Sequence, residues 1–332
     1  MSRTTDLTLA VELCGVRLPN PTVLASGILG TSAALLERVA RAGAGAVTAK
    51  SARLEPRAGH PNPTVISWAG GLINAVGLAN PGADTQADIL REARLRLASL
   101  GVPAVASVFG STVQEFASVA ARLAEAEPDL LELNISCPNV GDEFGRPFAA
   151  DRRAAAAVTQ AVKSAVRDIP VVVKLSPNVA DIAAVARAVE EAGADAIAAI
   201  NTVRGMVIDV YAARPVLANR SGGLSGPAIK PVAVRCVFEC YEAVSIPIIG
   251  VGGVASGLDA AEMIMAGAKV VGVGSAVYER GPEVFAHIVR ELEHFMTEEG
   301  YATVAEMRGL AHGRNGVTPN PELETHAPPL PH

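Results

Sequence analysis

Aromatic residues make up only 4% of this 332-residue chain, although half of it is hydrophobic. A core so poor in large rings must be packed from small side chains, and alanine, glycine and valine dominate the sequence. That suits many short helices laid on a parallel sheet. Basic residues are outnumbered 28 to 34 and no lysine- or arginine-rich run occurs. There is therefore no case for nucleic-acid binding, although a local positive pocket for a small anion stays open.

Cysteine is equally scarce, with Cys14, Cys137, Cys236 and Cys240 making up the set. They form no CxxC pair and no ligand-spaced cluster, so neither a structural zinc site nor an iron–sulfur site is encoded, and no metal is expected among the site residues. Cys236 and Cys240, four apart, are expected on one buried helix face, and Cys14 in a hairpin. A disulfide framework is not expected at this size, which points to a reducing, cytoplasmic location. No run of eighteen uncharged apolar residues is present, and Met1 to Thr8 lacks an apolar core. Neither a signal peptide nor membrane insertion is expected. The GxxxxGK[ST] pattern and a strand-one GxGxxG are missing too, so a bound ligand need not be ATP or NAD.

What the chain does contain is a rhythm. After a short alternating stretch at residues 8–20, read as an N-terminal hairpin, apolar strands alternate with amphipathic helices from Pro21 onward. The expected strands are Thr22 to Ala25, Ala46 to Ala49, Ala104 to Val108, Leu130 to Leu133, Val171 to Val173, Ala196 to Ile200, Ile246 to Ile249 and Lys269 to Val273. Helices are expected at Ser32 to Arg41, Asp84 to Leu100, Val113 to Glu125, Asp151 to Val166, Val179 to Ala192, Ala228 to Ala243, Gly257 to Ala266 and Glu283 to Glu298. Two long irregular excursions, Arg53 to Gly82 and Val203 to Gly226, interrupt them. Eight strands in strict alternation with eight helices predict an α/β fold of the (β/α)8 TIM-barrel type, with long loops at its C-terminal mouth. A doubly wound open sheet is the structural rival. Residues 1–316 are expected to form one domain, and 317–332 a flexible proline-rich tail.

Unusual polar groups fall at the C-terminal ends of these strands, where barrels place their chemistry. Asn134-Ile135-Ser136-Cys137-Pro138-Asn139 follows strand four. Gly250, Gly252 and Gly253 follow strand seven, and Gly274 and Ser275 follow strand eight. Such loops hold phosphate through backbone N–H groups, although glycines also make plain tight turns. A flavin mononucleotide would fit a barrel with one phosphate clamp. Two of the five lysines, Lys50 and Lys174, end strands. That is poor burial unless an anion or electron-rich ring awaits them; the alternatives are amines that snorkel to solvent or a Schiff-base lysine. Asn74, Asn134, Asn139 and Asn201, with Thr202, offer donors and acceptors matched to a pyrimidine-like ring, or else cap local turns. Cys137 is the candidate base, since its thiol can take a weakly acidic carbon-bound proton. Val140 to Pro147, with two glycines, is a candidate lid.

These runs, together with Leu18-Pro19-Asn20-Pro21, Ala25-Ser26-Gly27, Gly71 to Gly82, Val173 to Asn178, Gly222 to Gly226 and Gly250 to Val254, give the chain its likeness to a family. It resembles the class 1 dihydroorotate dehydrogenases over about residues 8–310. The resemblance implies one FMN per barrel and oxidation of dihydroorotate to orotate in pyrimidine synthesis. It implies Cys137 as the base and Lys174 as a catalytic partner on the flavin. Lys50, Asn74, Gly77, Leu78, Asn134, Asn139, Asn201 and Thr202 would bind substrate. Ala25, Ser26, Gly27, Lys50, Ser51, Asn134, Lys174, Ile200, Gly226, Gly252, Gly253, Gly274 and Ser275 would hold FMN. Cysteine in the base position marks class 1, and the likeness is greatest to the NAD-linked 1B form. That form implies a homodimer of barrels with an electron-transfer subunit carrying FAD and a [2Fe–2S] cluster, together a heterotetramer. A fumarate-linked class 1A enzyme and a dihydropyrimidine dehydrogenase-like barrel are the neighbouring readings. One departure stands out: Ser107 occupies a position where relatives often have asparagine.

Overall fold

The computed structural model describes residues 7–136, 147–166 and 168–313. Cys137, Pro138, Asn139, most of the candidate lid and the proline-rich tail lie outside the described residues. Eight parallel strands close into a barrel: β3 (Thr22–Leu24), β4 (Ala46–Thr48), β7 (Ala104–Val108), β8 (Leu130–Asn134), β9 (Val171–Lys174), β10 (Ala196–Ala199), β15 (Ile248–Val251) and β16 (Val270–Val273). They neighbour one another in chain order, and β16 pairs back onto β3. The expected TIM barrel is therefore the observed one, with every strand within two residues of its expected ends.

The hairpin of β1 (Val11–Leu13) and β2 (Val16–Leu18) turns through Cys14 and Gly15. Both have positive φ, 51° and 80°, as a two-residue hairpin turn requires. Its Leu13 and Leu18 are fully buried in a cluster with Val105, Leu130, Val172 and Ala196 from the barrel interior. The hairpin therefore plugs the N-terminal end of the barrel. A leucine buried this completely is worth about 2–5 kcal/mol over alanine. With one end closed by apolar side chains, the opposite end is left for ligands.

Helices wrap the outside and bury the larger core, which is built mainly from alanine, valine and leucine. Several begin just after a polar cap. Ser32, Thr112, Asp151 and Asp181 each accept a backbone N–H from the first turn. This explains why observed helices such as Arg152–Ala165 and Ile182–Glu191 start later than the apolar pattern alone suggests: the side-chain oxygen replaces an intrahelical acceptor and stops the helix. Cys236 and Cys240 lie fully buried on helix Lys230–Ala243, as their spacing predicts.

The two excursions are not irregular. From them come β5 (Val65–Trp68), β6 (Gly71–Asn74), β11 (Val203–Gly205) and β14 (Gly222–Ser225), which form one antiparallel sheet in the order β11-β14-β6-β5. A further hairpin joins β12 (Ile208–Asp209) to β13 (Arg214–Pro215). These strands are only two to four residues long, and β6, β11 and β14 carry glycine, so they show no alternating pattern, and β6 finds its β14 partner about half a chain away. Past the last long helix, Val304–Met307 forms a small helix of its own behind a Thr303–Glu306 capping box. Among the described residues no helix is long and apolar enough to cross a membrane.

Candidate active site

A cavity opens at the C-terminal mouth of the barrel, between the strand ends and the sheet of β5, β6, β11 and β14. Every described candidate residue lines it except Gly250, which lies within β15 and faces Ala268 and Met263 on the helix side, because that strand runs two residues further than the apolar pattern suggests. Ala25, Ser26 and Gly27 follow β3; Lys50 and Ser51 follow β4; Asn134 and Lys174 end β8 and β9; Ile200, Asn201 and Thr202 follow β10. Gly252 and Gly253 come from the loop after β15, and Gly274 and Ser275 from the loop after β16. The excursions add Asn74, Gly77, Leu78 and Gly226. Cys137 and Asn139 lie outside the described residues. Ser225, Leu72 and Ile229 also line the cavity. Sequence reasoning passed over them because they belong to the sheet and turn that only tertiary pairing creates.

Lys174 is 5% exposed and its Nζ donates to Ser26 Oγ at 3.1 Å. Its nearest carboxylate, 3.8 Å away, is Glu132, a residue the motif reading did not single out. Glu132 Oε1 accepts from Ser107 Oγ at 3.1 Å, and Ser107 Oγ lies 2.8 Å from Ser51 Oγ. Asn134 Nδ2 donates to Ser51 Oγ at 3.2 Å, and Asn201 Nδ2 reaches Asn134 Oδ1 at 3.4 Å. Asn201 also donates to Ser136 Oγ at 2.8 Å and accepts from the Thr202 backbone N–H. The mouth amides are thus held by a shared network before any ligand arrives, which suits pre-organised recognition. Ser107 is fully buried and turned to this network. The serine that departs from the family pattern acts here as a link between Ser51 and Glu132.

Backbone conformation shapes the rest of the cavity. Gly77 and Leu78 both have positive φ, 72° and 56°. A Cβ at Gly77 would come within 2.4 Å of the His60 ring, so glycine is required there. Asn80 holds the turn by donating to Leu78 O and accepting from Gly82 N. On the opposite wall, a Cβ at Gly274 would meet Ala25 at 3.6 Å, leaving that loop open to a ligand.

Asp259 braces the loop that follows β15. One carboxylate oxygen accepts from the Ala255 and Ser256 N–H groups and the Ser256 hydroxyl, and the other from Lys230 Nζ at 2.7 Å. Burial opposes ionisation of Asp259, but the Lys230 ammonium and these donors outweigh it and hold its carboxyl below the usual range. Asp259→Asn is expected to lower stability by about 2 kcal/mol at neutral pH, the scale of charged hydrogen bonds. A depressed carboxyl stabilises above its unfolded pKa of about 3.9 and loses that contribution as pH falls through the folded value. The gap between wild type and variant, read by thermal unfolding, should therefore shrink only below about pH 4. A gap that stays unchanged well below pH 4, or one that already closes between pH 7 and 5, would refute the assignment.

The remaining cysteines carry no chemistry at this mouth. Burial, reinforced by Asp195, pushes the Cys14 thiol up to about 11, at the far end of the barrel. Burial also raises Cys236 and Cys240. A wider groove at that far end, lined by Arg17, Arg91, Arg94, Glu125 and Glu127, carries the Arg94–Glu127 and Arg91–Glu125 ion pairs at 3.1 and 3.8 Å. It is a paired, solvated surface.

Residues 8–296 match the family described as dihydroorotate dehydrogenase. A relative from Methanothermobacter thermautotrophicus, the catalytic subunit of dihydroorotate dehydrogenase B (NAD(+)), is 50% identical over 305 residues, covering 92% of this chain and 98% of the relative. The same subunit from Methanosarcina mazei is also 50% identical, covering 92% and 95%. That from Pyrococcus abyssi is 43% identical over 303 residues, covering 91% and 99%. A family match over most of the chain, relatives spanned almost end to end and a barrel whose mouth gathers the family's motifs lead to one conclusion: this chain belongs to the dihydroorotate dehydrogenase family, alongside the NAD(+)-linked B-type catalytic subunits.

Proposed function

We propose that this chain oxidises (S)-dihydroorotate to orotate on a bound FMN, in pyrimidine biosynthesis, as the catalytic subunit of an NAD-linked enzyme. The observation that carries the reading is the convergence of Lys50, Lys174, Asn74, Asn134 and Asn201 with the glycine loops after β15 and β16 in one cavity. The residues fit such a cofactor. The backbone of Gly252, Gly253 and Gly274 lines one wall, where the first two let the loop pack against the helix that begins at Lys230 and the third leaves room for a phosphate, and the lysines and amides line the space a flat polar ring would fill. When bound, the flavin supplies a hydride acceptor. Cys137 removes the proton from C5 of the substrate while the C6 hydride leaves. Lys174 would hold positive charge beside the cofactor's ring, where it favours the reduced form. Asn74, Asn134, Asn139, Asn201 and Thr202 orient the pyrimidine ring, and Lys50 meets negative charge on substrate or cofactor.

A partner subunit carrying FAD and a [2Fe–2S] cluster would supply the route from this barrel to NAD, with two barrels in the assembly. What supports this is the naming of the relatives as catalytic subunits and the lack of a second nucleotide-binding motif in the chain. The test is anaerobic. Purified chain should carry FMN, and dihydroorotate should bleach its flavin absorbance with formation of orotate. NADH should then form at speed only when the electron-transfer subunit is added. A flavin that dihydroorotate leaves oxidised would sink the reading. Rapid reoxidation of the single chain by fumarate would overturn its NAD-linked part.

A further inference from the structure

Two neighbouring strands place a carboxylate beneath the strand-end lysine, and nothing in the reaction as described uses it. Along β8 the side chains that face the barrel interior alternate: Leu130 in the apolar plug, then Glu132, then Asn134 at the mouth. β9 does the same with Val172 and then Lys174. The register pairs Ser107 of β7 with Glu132, and Asn134 with Lys174. Closure of the barrel therefore sets Ser107, Glu132 and Lys174 close together, between the plug and the cavity. Glu132 is 6% exposed, with one oxygen on Ser107 and the other 3.8 Å from Lys174 Nζ.

The hydrogen bonds around it share one direction. Asn201 donates to Asn134, Asn134 to Ser51, and the Ser107 hydroxyl to Glu132. With the Ser107 proton committed to the carboxylate, the 2.8 Å contact between the serines makes Ser51 the donor to Ser107. An ionised carboxylate accepts and never donates, so it is the natural terminus of such a chain.

We propose that Glu132 is a positioning residue that sets the electrostatic field Lys174 presents to the cofactor, and so sets the flavin's reduction potential. The proposal rests on the flavin reading above. A bare ammonium under the ring favours the reduced, more negative form. A carboxylate behind the ammonium offsets part of that charge and keeps the ring from holding its electrons too tightly for onward transfer. Ser107, by donating to the carboxylate, disperses some of its charge away from Lys174.

The experiment is a redox titration of the bound flavin in the holoenzyme, with wild-type flavin content and reduction by dihydroorotate measured first. Those first measurements test the function; the variant potentials test Glu132. Glu132→Gln is expected to move the midpoint potential to more positive values. Ser107→Ala, which leaves the carboxylate but strips its donor, is expected to move it to more negative values. A disturbance of packing alone has no reason to give opposite signs. An unchanged or more negative potential in Glu132→Gln overturns the proposal, as does a positive shift in both variants. Should Glu132→Gln fail to hold flavin, Ser107→Ala decides: a negative shift supports the proposal, and an unchanged or positive potential overturns it.

Discussion

Flavin-loaded Cys137→Ser protein is expected to be reduced by dihydroorotate about 10²–10⁴-fold more slowly than wild type near neutral pH, the range for loss of a positioned general base. Cys137 lies outside the described residues, but the residues leading to it are tied down by hydrogen bonds and burial. Asn134 lines the cavity, Ile135 accepts the Ala149 N–H through its carbonyl, and buried Ser136 takes the Asn201 amide at 2.8 Å. The chain thus leaves β8 pinned at the mouth. Serine keeps nearly the size and hydrogen bonding of cysteine, so flavin content should not fall. It does not keep the acidity: a thiol ionises near pH 8.5 in the absence of neighbours, and a serine hydroxyl does not do so in the working range. Because the base acts deprotonated, the wild-type reduction rate should rise with pH through the thiol's pKa. In the serine variant that rising limb should move to higher pH. Stopped-flow traces of equal rate, or an unmoved pH profile, would remove Cys137 from the role.

Lys174→Ala should have the other large effect, and it has two separable parts. The first belongs to the cofactor: FMN should bind more weakly, and what binds should be reduced more slowly, because positive charge at the ring is gone. The second belongs to the fold. Glu132 would be left buried without its cation, and breaking a buried ion pair from one side destabilises by about 3–5 kcal/mol. Cofactor-free protein should therefore melt earlier even though no ligand contact is involved. The double variant Lys174→Met with Glu132→Gln removes both charges, and should recover most of the stability but none of the flavin reduction. A Lys174→Ala protein with wild-type flavin content, reduction rate and melting temperature would contradict both parts. If the double variant melted as early as the single one, the ion-pair account of stability would fail on its own.

Much of this architecture is local pattern. Val-Val-Val before Lys174 and Leu-Leu-Glu-Leu before Asn134 are too short and too apolar to be anything but buried strands. The polar residue that ends each of them marks the mouth. Helix caps such as Ser32 and Asp181 are also legible, because a side-chain oxygen at an N-terminus acts within its own turn. The hairpin of Val11 to Leu18 carries its turn signal in Gly15. Composition excluded whole classes of partner by what it lacked.

What the chain could not disclose residue by residue depends on register and on distant pairing. Glu132 reads as a polar interruption of an apolar strand; only the stagger at which β7, β8 and β9 close the barrel makes it the partner of Ser107 and Lys174. The strands of the mouth sheet likewise lack periodicity, and β6 and β14 define each other across half the sequence. The amino-acid order by itself determined the alternating elements, the barrel and the set of residues at its open end, since each of those follows from interactions within a few residues and from the burial each segment needs. Tertiary structure alone decided which carboxylate stands behind the lysine and which excursions roof the cavity, because hydrogen-bond register between separate strands is a property of the closed sheet and not of any one strand.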